Sequence, residues 1–212
     1  MAIDQKFINQ FASVTSKAAV ASYKLVGKKD KIAADKAAVD SMRNELNKLN
    51  VDGKIVIGEG ELDEAPMLYI GEKVGTTRGP KIDIAVDPLE GTNFAANNLP
   101  GALSVIAIAE KDNLFHAPET YMEKISSKVN EKGVIDLDHT VKENIFNLCE
   151  YLNKKPESIT ACILDRPRHK KIITEISKLG AKIKLITDGD VSGALLVTDD
   201  KYGVDIFLGI GG

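Results

Sequence analysis

Tryptophan is absent from this 212-residue chain, and tyrosine and phenylalanine bring the aromatic share to only 5%. A chain so poor in stacking surface offers no platform for single-stranded nucleic acid. Basic charge is not in excess either. The 28 Lys and Arg face 31 Asp and Glu, a formal charge of −3, so no global field recruits a polyanion and any phosphate site must be local. Two cysteines, Cys149 and Cys162, are too few for a disulfide framework or a thiolate metal cluster. The first reads as part of a helix face and the second as part of an apolar strand, so both are expected to be plain core thiols. The longest largely apolar run, residues 102–109, is far too short to span a bilayer. Asp4 and Lys6 precede any apolar run at the N-terminus, without the hydrophobic region of a signal peptide, and the chain reads as cytosolic. Internal repeats, low-complexity segments and flexible linkers are lacking too.

What is present is a globular pattern, with 43% hydrophobic residues to build a core. Phe7, Phe11, Val14, Ala18, Ala21 and Leu25 recur in steps of four and three, which predicts an amphipathic helix over 4–26 ended by Gly27. A second helix over 35–49 carries Val39, Met42, Leu46 and Leu49, with Asp35 at its start. Short β-branched runs at 54–58, 82–87 and 103–109 then predict strands. Helices are expected at 121–128 and 140–153. From residue 159 strands at 159–164, 182–187 and 204–208 alternate with helical segments around 172–179 and 191–197, the pattern of parallel strands with crossover helices. The expected organisation is an N-terminal α+β domain over 1–155 followed by the start of an α/β domain over 156–212.

Polar residues gather where these strands end. Gly58-Glu59-Gly60-Glu61 and Asp63 follow the first, Asp87-Pro88-Leu89-Glu90-Gly91-Thr92 the second, Asp165-Arg166-Pro167-Arg168-His169 a later one, and Asp188-Gly189-Asp190 the next. The last strand runs into Gly209-Ile210-Gly211-Gly212. Ligands of open sheets sit beyond the carboxyl ends of the strands, so these turns are candidate site walls. Asp35, Glu59, Asp87 and Glu90 offer hard carboxylate oxygens that suit Mg²⁺ or Mn²⁺, and grouped carboxylates repel one another unless a cation lies between them. Arg166 and Arg168 offer forked donors suited to phosphate. Each feature alone has a plainer reading. Asp35 could be a helix cap, Asp-Gly-Asp an ordinary turn, and the two arginines a solvated face. His139 and His169 lack metal-ligand spacing. It is the recurrence at successive strand ends that favours a site.

Asp87-Pro88-Leu89-Glu90-Gly91-Thr92 resembles the Asp-Pro-Ile/Leu-Asp-Gly-Thr signature of the lithium-sensitive phosphatase superfamily, and Glu90 in place of the second Asp resembles its class II (GlpX-type) fructose-1,6-bisphosphatases. The likeness runs nearly continuously, through Ala34-Asp35, the block over 56–73, Ala117-Pro118, Tyr121-Met122-Glu123-Lys124, Arg166-Pro167-Arg168-His169, Asp188-Gly189-Asp190 and Gly209-Ile210-Gly211-Gly212. The resemblance implies a layered sugar-phosphatase fold. It implies Asp35, Glu59, Asp87 and Glu90 as metal ligands, and Glu90, Gly91, Thr92, Tyr121, Arg166, Pro167, Arg168, Asp188, Gly189, Asp190 and Gly212 as contacts to a sugar bisphosphate. Asp87, Glu59, Glu61 and Thr92 are the implied catalytic group, with Asp63 near the metals. The implied reaction is metal-dependent hydrolysis of the 1-phosphate of fructose 1,6-bisphosphate in gluconeogenesis. Sedoheptulose 1,7-bisphosphate or an inositol phosphate are alternative substrates, and a catalytically silent sugar-phosphate-binding polypeptide is the alternative from another class. A small-molecule partner is expected, neither nucleic acid nor membrane, and a homo-oligomer is left open. Family members continue past Gly212 with Ala-Pro-Glu-Gly, whose Glu is a further metal ligand, so the sequence reads as cut short before that residue.

Overall fold

The computed structural model describes residues 5–59, 68–115 and 120–212 and divides the chain into two compact units, Met1–Ala117 and Pro118–Gly212. In the first unit α1 (Lys6–Tyr23) buries Phe7, Phe11, Val14 and Ala18, the helical period seen in the sequence. The second helix, α2 (Lys31–Leu46), begins one turn earlier than expected. Its cap is Asp30, whose carboxylate accepts the Ala33 N–H at 2.9 Å. Asp35 therefore sits inside the helix, and the capping role open to it in the sequence belongs to another residue.

The strands β1 (Asp52–Ile57), β2 (Lys73–Val74) and β3 (Lys81–Glu90) are followed by the short helix α3 (Thr92–Ala96) and by β4 (Leu103–Glu110). They form one sheet in the order β2-β1-β3-β4, with β1 and β3 parallel and the outer pairs antiparallel. The core lies between one sheet face and the two long helices, where Val14, Ala18, Ala38 and Met42 meet Ile55, Val74, Ile82 and Ile84.

The second unit opens with β5 (Met122–Ser127), where the sequence predicts a helix. Met, Glu and Lys favour helices locally, but here all six residues pair antiparallel with the last strand. Tertiary pairing outweighs local preference. Next come α4 (Val141–Leu152), β6 (Thr160–Leu164), α5 (Lys170–Lys178), β7 (Lys182–Ile186), α6 (Asp190–Leu195) and β8 (Ile206–Gly211). At the start of α4, Thr140 accepts the Glu143 N–H and Glu143 reaches back to the Thr140 N–H, a reciprocal cap. Strand order is β5-β8-β6-β7, with β6 parallel to both β7 and β8. The central strands are buried on both faces. Ala161, Ile163, Ile206 and Leu208 face α4 and α5, while Cys162, Leu164 and Phe207 face the chain after β7. The unit boundary thus falls at Ala117/Pro118 and not near residue 155. Residues of β5 and α4 share a sheet and a core with β6 and β8, so they belong with the second unit. Both cysteines are buried free thiols, and burial pushes them up, Cys162 to about 11, which makes them poor nucleophiles.

Candidate functional site

In the first unit the site is built around one irregularity. Asp87 pairs with Val105 and Glu90 with Leu103, so three steps along β3 match two along β4. The extra residue is a β-bulge, and it contains Pro88, which has no N–H to give the ladder. Residues three apart on a regular strand point to opposite faces. The bulge reverses the alternation, as the core-facing residues show by running Ile82, Ile84, Val86 and then Leu89. Asp87 and Glu90 consequently share the other face. Asp87 also accepts the Leu89 N–H at 3.2 Å. Gly91 follows in the left-handed conformation (φ 77°), and a Cβ there would lie 2.7 Å from the Phe94 ring. Only glycine fits this turn, which delivers Thr92 to the first position of α3.

Glu59 follows β1, with its N–H bonded to the Leu68 carbonyl at 3.0 Å. Burial, and then the charges of Asp35 and Asp87, push its carboxyl up to about 7. Burial also raises Asp35. The three carboxyl groups are therefore close enough to repel, and Glu59 takes most of the effect. Such a set of hard, mutually repelling oxygens fits a hard divalent cation in charge and donor type. Among the described residues no group of three or more Asp, Glu, His or Cys side chains is already placed to hold a metal ion. Glu61 and Asp63 lie outside the described residues.

In the second unit the chain leaves β6 through α5 on one face of the sheet and returns from β7 through α6 on the other. The crossovers reverse between β6 and β8, the point where open α/β sheets hold their ligands. The predicted residues meet there. Arg168 donates Nε to the Ile210 carbonyl at 2.7 Å, and its guanidinium stacks 4.9 Å from the exposed Tyr121 ring. Arg166 reaches Asp188 at 3.5 Å and the Asp165 carbonyl at 3.2 Å. Pro167 opens a short 3-10 turn between the two arginines, and Gly189 turns the chain into α6, whose first residue is Asp190.

Three residues without a sequence-assigned role prove to organise this edge. Lys124 pairs with Asp190 and donates to the Gly212 carbonyl at 2.7 Å. A helix over 121–128, as the sequence suggests, gives no sign that Lys124 stands in a strand beside β8. Gly211 makes room for this pair, since a Cβ there would come within 2.6 Å of the Asp190 carboxylate. His169 is fully buried, with Nδ1 2.7 Å from the Leu164 carbonyl and Nε2 accepting the Ile210 N–H at 2.9 Å. That pattern puts the proton on Nδ1 and makes the ring a tie between the ends of β6 and β8.

A family model for bacterial fructose-1,6-bisphosphatase, glpX-encoded, matches residues 5–212. The chain belongs to this family. It is 48% identical over 203 residues to the Escherichia coli (strain K12) protein named fructose-1,6-bisphosphatase 1 class 2, covering 96% of this chain and 60% of that one. It is 46% identical over 209 residues to a Synechococcus sp. (strain CC9902) protein named D-fructose 1,6-bisphosphatase class 2/sedoheptulose 1,7-bisphosphatase, covering 99% of this chain and 63% of the relative. The chain thus spans less than two thirds of the length of these class 2 relatives.

Proposed function

We propose that the chain carries the catalytic and substrate-binding residues of a phosphatase that hydrolyses fructose 1,6-bisphosphate to fructose 6-phosphate and phosphate. The observation that carries this reading is the bulge in β3, which turns Asp87 and Glu90 to one face where Asp87 repels Glu59. Asp35, Glu59, Asp87 and Glu90 would hold a divalent cation, Mg²⁺ or Mn²⁺. When bound, such an ion supplies a nucleophilic water at neutral pH and charge neutralisation for the phosphoryl oxygens.

The chain's own groups would then bind and orient. The Thr92 hydroxyl, at the turn after Gly91, would hydrogen-bond the attacking water or a phosphoryl oxygen. The carboxylates around it, Glu59 among them, would help to orient that water for in-line attack. The water oxygen bonds to phosphorus while the bond from phosphorus to the C1 oxygen breaks, and a proton completes the sugar hydroxyl. In the second unit Arg166 and Arg168 would bind a phosphate, with the exposed Tyr121 face and the Asp188 and Asp190 carboxylates available to a sugar. Sedoheptulose 1,7-bisphosphate presents the same reacting end, and the name of the Synechococcus relative includes it, so it is the second substrate of this reading. The corresponding setting is gluconeogenesis in the cytoplasm.

Comparative rates of phosphate release test the substrate. Fructose 1,6-bisphosphate should be hydrolysed faster than an inositol phosphate, with sedoheptulose 1,7-bisphosphate closer to the first. A preference for inositol phosphate would overturn the assignment.

A further inference from the structure

Glu72 has no part in the chemistry above, yet it is a carboxylate only 4% exposed. One of its oxygens receives Arg43 Nε at 2.5 Å, and the other receives the Leu68 N–H. Arg43 lies on α2, two turns beyond Asp35. Leu68 is fully buried and holds a left-handed conformation (φ 54°), a state that a bulky residue keeps only when its surroundings fix it. The Leu68 carbonyl in turn accepts the Glu59 N–H at 3.0 Å. The backbone on either side is stitched to β1, with Ile55 N–H to the Glu72 carbonyl at 2.9 Å and Gly71 N–H to the Ile55 carbonyl at 2.8 Å. An unbroken series of bonds therefore runs from the helix that carries Asp35 to the backbone of Glu59.

We propose that the Arg43–Glu72 pair is a positioning device that fixes Glu59 with respect to Asp35. The inference rests on the reading of those two residues as metal ligands. Like charges push such ligands apart, and a carboxylate in a loop beyond a strand end needs a mechanical restraint to stay beside its neighbours. The two bonds to Leu68, one at its N–H and one at its carbonyl, provide that restraint. The Glu72 carboxylate is matched to the task because it accepts from a side chain of α2 and from the loop at once. Residues that orient ligands by hydrogen bonds commonly alter metal affinity by about 10- to 100-fold when removed.

The test is Mn²⁺ binding to the full chain, followed by the electron paramagnetic resonance of the free ion, together with amide hydrogen exchange at Glu59. The variants are Glu72→Gln, Arg43→Gln, Arg43→Lys and Glu59→Gln. Glu72→Gln and Arg43→Gln should each weaken Mn²⁺ by about tenfold or more and speed exchange of the Glu59 amide, with the far-ultraviolet circular dichroism unchanged. Arg43→Lys should recover most of the affinity. If Glu72→Gln does not fold, Arg43→Gln, at the half-exposed partner, carries the same readout. A folded variant that binds Mn²⁺ as tightly as the parent overturns the positioning role alone. A parent chain whose Mn²⁺ binding is indifferent to Glu59→Gln overturns the ligand reading and the positioning role with it.

Discussion

Asp35, Glu59 and Asp87 compete for charge within one neighbourhood, and the consequence is measurable at Glu59. Its carboxyl is raised from 4.5 to about 7 by burial and by the other two charges. In the unfolded chain it ionises near the ordinary value, so between about pH 4.5 and 7 the folded state binds more protons than the unfolded one. Stability without metal should therefore fall as pH rises through that window and level off above it. Thermal melts across the range should show this slope, and Glu59→Gln should flatten it. Mn²⁺ affinity should move the other way, rising with pH up to about 7 as the proton leaves. Asp87→Ala should abolish metal-dependent turnover without loss of secondary structure, since Asp87 is only half-buried on the sheet face away from the helices. A variant retaining the parent rate would remove Asp87 from the site.

At the scale of elements, α2 separates two roles that are easily confused. Asp30 caps the helix and Asp35 stands within it. Asp30→Ala should cost about 1 kcal/mol of stability and leave metal binding intact, whereas Asp35→Asn should cost little stability and weaken the metal. Denaturant melts and Mn²⁺ titrations on the two variants distinguish the roles. At the second sheet, Gly211→Ala should displace Asp190 from Lys124. It should raise the KM for the sugar bisphosphate more than it lowers kcat, as expected for lost substrate binding; an unchanged KM would remove this edge from the substrate site. Much of this architecture was legible in the sequence, because helical period, β-branched runs and polar turns are local signals. The alternation after residue 159 announced parallel strands, and the turns after β1, β3, β6 and β7 announced the candidate residues. The bulge, the strand at 122–127 and the role of Lys124 were not legible. Each depends on which strand lies alongside, and pairing partners leave no mark in a local window. Asp35 was misplaced by one turn for a simpler reason: Asp30 is an equally good cap, and helix boundaries are the weakest part of any such reading.

At the scale of the chain, two units carry two kinds of chemistry. Asp35, Glu59, Asp87, Glu90 and Thr92 lie in the first, and the two arginines, Tyr121, Asp188 and the Lys124–Asp190 pair lie in the second. The boundary at Ala117/Pro118 follows from the pairing of β5 with β8, a contact between segments some eighty residues apart that no composition change marks. The likeness to class 2 fructose-1,6-bisphosphatases covers both units. The most direct test is phosphate release from fructose 1,6-bisphosphate by the purified chain and by Asp87→Ala, each with Mn²⁺, with Mg²⁺ and with a chelator. Release that requires the ion and is lost in Asp87→Ala is the expected result. No ion-dependent release from the folded chain, or equal release from the variant, would contradict it.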